Sequence, residues 1–113
     1  ADQSTNGERE QMNKALQDVI AERERQVSQE GWTPGHDDHH EAGAMAVAAA
    51  CYALANKRGI EMQTVKLQDL WSWTGWSSVW WRPKGTRRNY VRAAALLLAE
   101  IERMDREEAT ESK

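Results

Sequence analysis

Ala42-Gly43-Ala44-Met45-Ala46-Val47-Ala48-Ala49-Ala50-Cys51-Tyr52-Ala53-Leu54-Ala55-Asn56 is the longest stretch of the chain without a charge. Alanine is the best helix former, and a run that is apolar nearly all round belongs inside a bundle rather than on its surface. The stretch is too short to span a bilayer. It therefore reads as a buried helix over about 40–56, at the centre of the domain, whose small side chains let neighbouring helices approach closely. Asp37 or Asp38 is placed to cap its start, and Gly59 to end it.

Working outward, Met12, Leu16, Val19, Ile20 and Val27 recur at helical spacing with charges between them, predicting a helix from Glu8 to about Glu30 that Gly31 stops. On the other side, Ile60 to Leu70 fits either a strand or a short helix, and the short helix is favoured. Trp71 to Gly85 reads as a Trp-, Ser- and Gly-rich loop. Thr86 then caps a last helix over about 87–106, with an apolar stripe of Tyr90, Val91, Ala94, Leu97, Leu98, Ile101 and Met104. The expected fold is all-α, a compact bundle of three long helices plus a short helix and a Trp-rich loop. Residues 1–7 form a flexible arm, 8–106 a single helical domain, and 107–113 a charged, disordered tail.

Composition bounds the function. A chain of 113 residues supports one core. Its net charge of -3 does not suggest a polynucleotide as partner. The single cysteine, Cys51, excludes an internal disulfide, and its apolar context suits an inert buried thiol. No signal peptide and no membrane partner are expected, so the expected location is the cytoplasm. Six Trp and no Phe is a lopsided aromatic set, and five of the six lie between Trp71 and Trp81. This hints at a flat recognition surface, with a Trp-rich mini-core as the alternative.

Three constellations carry chemistry. In the first, Arg23 and Arg25 lie within Glu22-Arg23-Glu24-Arg25-Gln26 and lead towards Glu30 and Trp32. Each either forms ion pairs on a helix face, packs on Trp32 or holds a phosphate. The second is His36-Asp37-Asp38-His39-His40-Glu41. Its residue types suit zinc, iron or manganese, with His36, His40 and Glu41 as ligands and Glu100 or Glu102 as the facing supply. Consecutive residues on one turn cannot all converge, however, so helix capping, or hydrogen bonds from Asp37 and Asp38 to ligand hydroxyls, ranks above metal binding.

The third is Trp80-Trp81-Arg82-Pro83-Lys84-Gly85-Thr86-Arg87-Arg88. Cations at a helix start oppose the helix dipole, so Arg87 and Arg88 call for an anion, either a bound phosphate or an acidic side chain such as Asp37 or Asp38. No Gly-rich phosphate loop, nucleophile elbow or Glu-x-x-His pair is present, so no catalytic group and no cofactor are expected.

The run Glu22-Arg23-x-Arg25-Gln26…Glu30-Gly31-Trp32-Thr33…His36-Asp37-Asp38, the Ala-rich helix, and the closing Trp81-x-Pro83-Lys84, Arg87-Arg88 and Val91-Arg92-Ala93 resemble a group of small bacteriophage and prophage proteins. Glu30-Gly31-Trp32-Thr33 followed by Asp37-Asp38 is more distantly similar to the signature of the ryanodine-receptor repeat domain. That family's Pro-containing segment after the acidic pair is replaced here by the Ala-rich helix. The resemblances imply an adenine-nucleotide type of ligand and a phage protein that captures host immune signals, such as cyclic ADP-ribose variants or cyclic oligonucleotides.

The expected function is thus non-enzymatic binding of a phosphate-bearing nucleotide in the host cytoplasm. Trp32, Trp80 or Trp81 would stack the base. Arg23, Arg25, Lys84, Arg87 and Arg88 would hold phosphate, and Asp37 or Asp38 the ribose. The alternatives are a metal-dependent nucleotide hydrolase using His36, Asp37, Asp38, His40 and Glu41, and a protein-binding module inhibiting a host defence protein. The Ala-rich helix could also support a homodimer.

Overall fold

The computed structural model describes residues 12–31, 43–56 and 67–111. The chain is all-α, and the described residues contain no strand. The helices are α1 (Lys14–Ser28), α2 (Ala44–Leu54), α3 (Leu67–Ser72) and α4 (Thr86–Glu111), with a 3-10 turn at Ser78–Trp80.

α1 begins at Lys14, and residues 8–11 of the helix expected from Glu8 lie outside the described residues. Asn13 has an extended backbone, and its Oδ1 accepts from the Leu16 N–H at 2.9 Å, which satisfies one of the unpaired donors of the first turn. At the other end the helix stops at Ser28, with Gln29 as its C-cap, two residues short of the expected Glu30; Gly31 follows at φ +74°, a backbone that side-chain-bearing residues avoid. α2 likewise starts from a glycine, Gly43 at φ +87°, whose carbonyl accepts the first helical bond from Val47. The proposed caps Asp37 and Asp38, and the proposed stop Gly59, lie outside the described residues.

The hub of the packing is α4 rather than the Ala-rich helix: α1 and α2 both pack on it. α2 buries Ala44, Met45, Ala48, Ala49, Cys51 and Tyr52, but leaves Ala50 and Ala53 exposed. The buried face of α4 also differs from the stripe expected. Asn89, Val91, Ala93, Ala95, Leu96, Ala99 and Glu100 are buried, while Tyr90, Leu97, Ile101 and Met104 are about half exposed. Of the expected stripe Val91 is buried, and three alanines, with Leu96, take the places expected of Leu97, Ile101 and Met104. Ala93, Ala95 and Ala99 let α1 and α2 approach closely; the polar Asn89 finds partners inside, while Glu100 bonds Arg103 through Oε1 and leaves Oε2 unpartnered.

α4 is also longer than expected. Helix continues to Glu111, where a disordered tail was expected from residue 107. Arg103 bonds Glu100 at 2.6 Å one turn back and Glu107 at 2.7 Å one turn ahead, which ties the last turns together. At the start, the Gly85 carbonyl accepts the Asn89 N–H, so Gly85 holds the cap position expected of Thr86.

The Trp-rich segment is divided between core and surface. Trp71 lies in the last turn of α3 rather than opening a loop; it is 2% exposed, and its Nε1–H donates to the Ser77 carbonyl at 3.1 Å. Trp76 meets it edge-on at 5.7 Å and Trp81 in a tilted contact at 5.3 Å, with Tyr52 beside both Trp71 and Trp81. The mini-core reading holds for these rings. Trp73 and Trp80 are exposed.

Candidate functional site

A cleft of about 150 Å³ opens where α1, α2, α4 and the segment after the 3-10 turn meet. Its cationic wall is Arg25, Arg82, Lys84 and Arg92, its acidic wall is Glu22 and Glu30, and Tyr52, Trp80, Gln26 and Leu96 complete it. Four cations against two carboxylates leave it a net positive cleft. Two buried polar atoms on its lining residues, Gln26 Oε1 and Arg92 Nε, have no hydrogen-bond partner. Such atoms are rare because each costs the desolvation of a polar group, of order 1–3 kcal/mol. If Arg92 and Gln26 turn these atoms towards the cleft, a ligand that supplies an acceptor to Arg92 and a donor to Gln26 recovers that energy.

The segment carrying Trp80, Arg82 and Lys84 is pinned at three points. The Tyr52 hydroxyl donates to the Trp80 carbonyl at 3.1 Å and accepts from the Arg82 N–H at 3.2 Å. Arg92 donates to the Arg82 carbonyl at 3.0 Å. Asn89, fully buried, accepts from the Lys84 N–H at 2.6 Å and donates to the Lys84 carbonyl at 2.8 Å. An irregular stretch is thereby held by side chains of two rigid helices, the arrangement that preorganises a binding loop. Tyr52, Asn89 and Arg92 were not among the sequence candidates. Tyr52 alone carried a legible sign, as the one polar-tipped ring in the apolar run of α2.

The expected cations separate into distinct roles. Arg25 lies between Glu22, at 2.8 Å, and Glu30, at 2.7 Å, and these bonds raise its pKa further above its already high value. Burial pushes the Glu22 carboxyl upward, but the Arg25 hydrogen bonds, the Arg25 and Arg88 charges and the Gln26 amide outweigh it and hold the pKa below the usual glutamate value. Arg88 bonds Glu22, and Arg87 bonds Asp18 at 2.9 Å. The anions that Arg87 and Arg88 called for are thus acids of α1, and a second, more open cleft of about 410 Å³ lies among these residues, with Arg25 bordering both clefts. Arg23 is buried against α4 and donates to Glu102 at 3.0 Å.

Of the expected stacking rings, Trp81 packs in the aromatic core, and Trp80 stands at the cleft with the Arg82 guanidinium 5.7 Å from its ring centre. Trp32, His36, Asp37, Asp38, His40 and Glu41 lie outside the described residues. Glu100 and Glu102, the facing acids of the metal reading, are held by Arg103 and Arg23. Among the described residues no group of three or more His, Cys, Asp or Glu is arranged to hold a metal ion. Cys51 is buried, and burial pushes its thiol up to about 11, away from reactive thiolate. Among the described residues no helix is long and apolar enough to cross a membrane.

Set against known protein families, characterised proteins and solved structures, the chain matches none.

Proposed function

We propose that the protein is a non-enzymatic binder of a phosphate-bearing nucleotide, with the cleft between α1, α4 and the Trp80–Lys84 segment as its anion seat. The observation that carries this reading is a cleft with four cations against two carboxylates, whose lining residues Gln26 and Arg92 each also hold a buried polar atom without a partner. The cleft's volume of about 150 Å³ is well below the ~300 Å³ at which drug-sized pockets begin, so it takes a phosphate head rather than a whole nucleotide. The base then lies outside, against Trp80, where stacking contributes about 1–3 kcal/mol by analogy with single-strand binders. To stack there, it displaces the Arg82 guanidinium, which becomes available to the phosphate. The phage resemblance, with sequestration of a host immune signal as its purpose, fits such a binder, since capture needs no catalytic group.

Isothermal titration against ADP-ribose-type ligands and cyclic dinucleotides tests the reading. Binding is expected for at least one of them, weakened tenfold or more by Arg92→Gln. Silence across the panel at high micromolar concentration refutes it. Recovery of intact ligand after heat denaturation, with Mg²⁺ or Mn²⁺ present, separates a binder from a hydrolase.

A second reading is favoured by the exposure of Trp73 at 68%, Val79 at 63% and Trp80 at 41%, all close in sequence on one segment. Trp-rich patches of this kind dominate protein interfaces. On this reading the protein inhibits a host defence protein, and capture of that protein is lost in Trp73→Ala with Trp80→Ala. Capture that survives both changes argues against it.

A further inference from the structure

The outward face of α4 carries Tyr90, Leu97, Ile101 and Met104, exposed by 55%, 45%, 55% and 55%, with the half-buried Ala94 between the first two. Successive members are three or four residues apart, which places all five on one side of a helix. The spacing is that of a coiled-coil seam, over three turns and more. The bundle already uses the opposite side of α4, where Val91, Ala95, Leu96 and Ala99 are buried. The seam is therefore complete and uncovered by α1 or α2.

The ends of α4 indicate what covers it. The helix begins with Arg87 and Arg88 and finishes with Glu107, Glu108 and Glu111. Its first turn holds no acid and its last turn no base. Both ends thus oppose the dipole of their own helix, which favours acids at the start and bases at the finish. An identical helix running the other way corrects both faults at once. We infer that a second copy of this chain docks on this face, with the two α4 helices antiparallel and the two-fold axis on the seam between Leu97 and Ile101.

That register is set by the residues. Leu97 faces the second copy's Ile101, Ala94 faces its Met104, Tyr90 meets its Glu108, and Arg87 faces its Glu111. Small meets large at Ala94 and Met104, and the Tyr90 hydroxyl finds a carboxylate. Arg87 already bridges Asp18, but its side chain is 57% exposed and a guanidinium has five N–H donors, so it can serve both acids. The axis between Leu97 and Ile101 also lies at the middle of the 26-residue helix, so the two copies overlap along nearly its whole length. A parallel pairing would set Arg87 against Arg87 and Glu111 against Glu111.

Sedimentation equilibrium of the full chain is expected to show a dimer, and Leu97→Lys with Ile101→Lys to shift it to monomer with the circular dichroism spectrum unchanged. A wild-type monomer at 100 µM overturns the proposal, as does a double variant that is folded and still dimeric. The register has its own test, because Cys51 is buried and unreactive. Leu97→Cys and Ile101→Cys variants are mixed and oxidised gently. Disulfide between one variant and the other is expected. Disulfide within each variant alone means a parallel pair and refutes the register.

Discussion

α4 has two inner faces, and they are held by different physics. Towards α2 and the Trp segment it buries Ala93, Leu96 and Ala99 against Met45, Ala48, Ala49, Tyr52 and Trp71. Towards α1 the contact is ionic: Arg87 with Asp18, Arg88 with Glu22, and Arg23 with Glu102. Arg88 and Glu102 are far apart along α4 yet reach neighbouring residues of α1, so the ion pairs clamp that helix from either side of its crossing. The apolar face supplies stability that does not respond to pH. The ionic face supplies less, since a buried carboxylate spends much of its attraction on desolvation, but it fixes where α1 lies. The candidate cleft opens at the seam between the two faces, where Glu22 and Gln26 meet Tyr52 and Leu96.

The largest effect belongs to the apolar face. Trp71 touches Tyr52, Trp76 and Trp81 and bonds the Ser77 carbonyl, so truncation opens a cavity and orphans an acceptor. Trp71→Ala is expected to cost about 3–5 kcal/mol, read by urea denaturation. A loss below about 1 kcal/mol would mean that the aromatic cluster is peripheral.

The ionic face gives a smaller effect with a different signature. Glu22→Ala leaves Arg25 and Arg88 without their shared acid. Breaking a fully buried pair costs roughly 3–5 kcal/mol. Here Arg25 keeps Glu30, and both cations reach water, so about 2 kcal/mol is expected. The pH dependence follows from the lowered folded pKa. Above the usual glutamate value, near 4.5, the carboxyl is ionised in both states and its contribution is whole. As pH falls through the lower folded value, the carboxyl is protonated in both states and the contribution vanishes. Melting temperatures of wild type and Glu22→Ala are therefore expected to converge as pH falls below the usual glutamate value and through the lower folded one. Curves that stay parallel from pH 7 to pH 3 would show that Glu22 is not the acid that matters.

Helix type and order were legible because period and composition act locally. Ala44 to Leu54 could hardly be anything but helix, and Gly31 marked a stop. The buried face of α4 was not legible. Leu97, Ile101 and Met104 are more hydrophobic than Ala93, Ala95 and Ala99, and a reading by hydrophobicity chooses the former. Close packing of three helices chooses small side chains, a constraint that appears only when the partners are known. The same holds for the site. The cations around Arg87 signalled that an anion was needed, but whether it would be a ligand or an acid of α1 depended on tertiary proximity that no spacing records. Arg92 carries no local mark at all, since its role arises from the turn that brings the Arg82 carbonyl beside it.

The finest probe of the comparison is Asn89, a polar residue at 0% exposure among the buried residues of α4. Its amide donates to the Asn56 side chain at 2.6 Å and to the Lys84 carbonyl at 2.8 Å, and its oxygen accepts from the Lys84 N–H. Lys84 and Asn56 are both exposed, so water can replace the lost bonds, and Asn89→Ala is expected to cost only about 1 kcal/mol. The greater consequence falls on the cleft. Without Asn89 the Lys84 backbone loses its anchor while Tyr52 and Arg92 still hold residues 80–82. Backbone amide exchange is then expected to rise at Lys84 and Gly85 and to stay unchanged at Arg82. A nucleotide held by Lys84 should leave faster, with its association rate little altered. An equal rise in exchange across the segment would mean that the three pins act as one unit. In that case the apolar and ionic faces are coupled through the cleft rather than merely adjoining it.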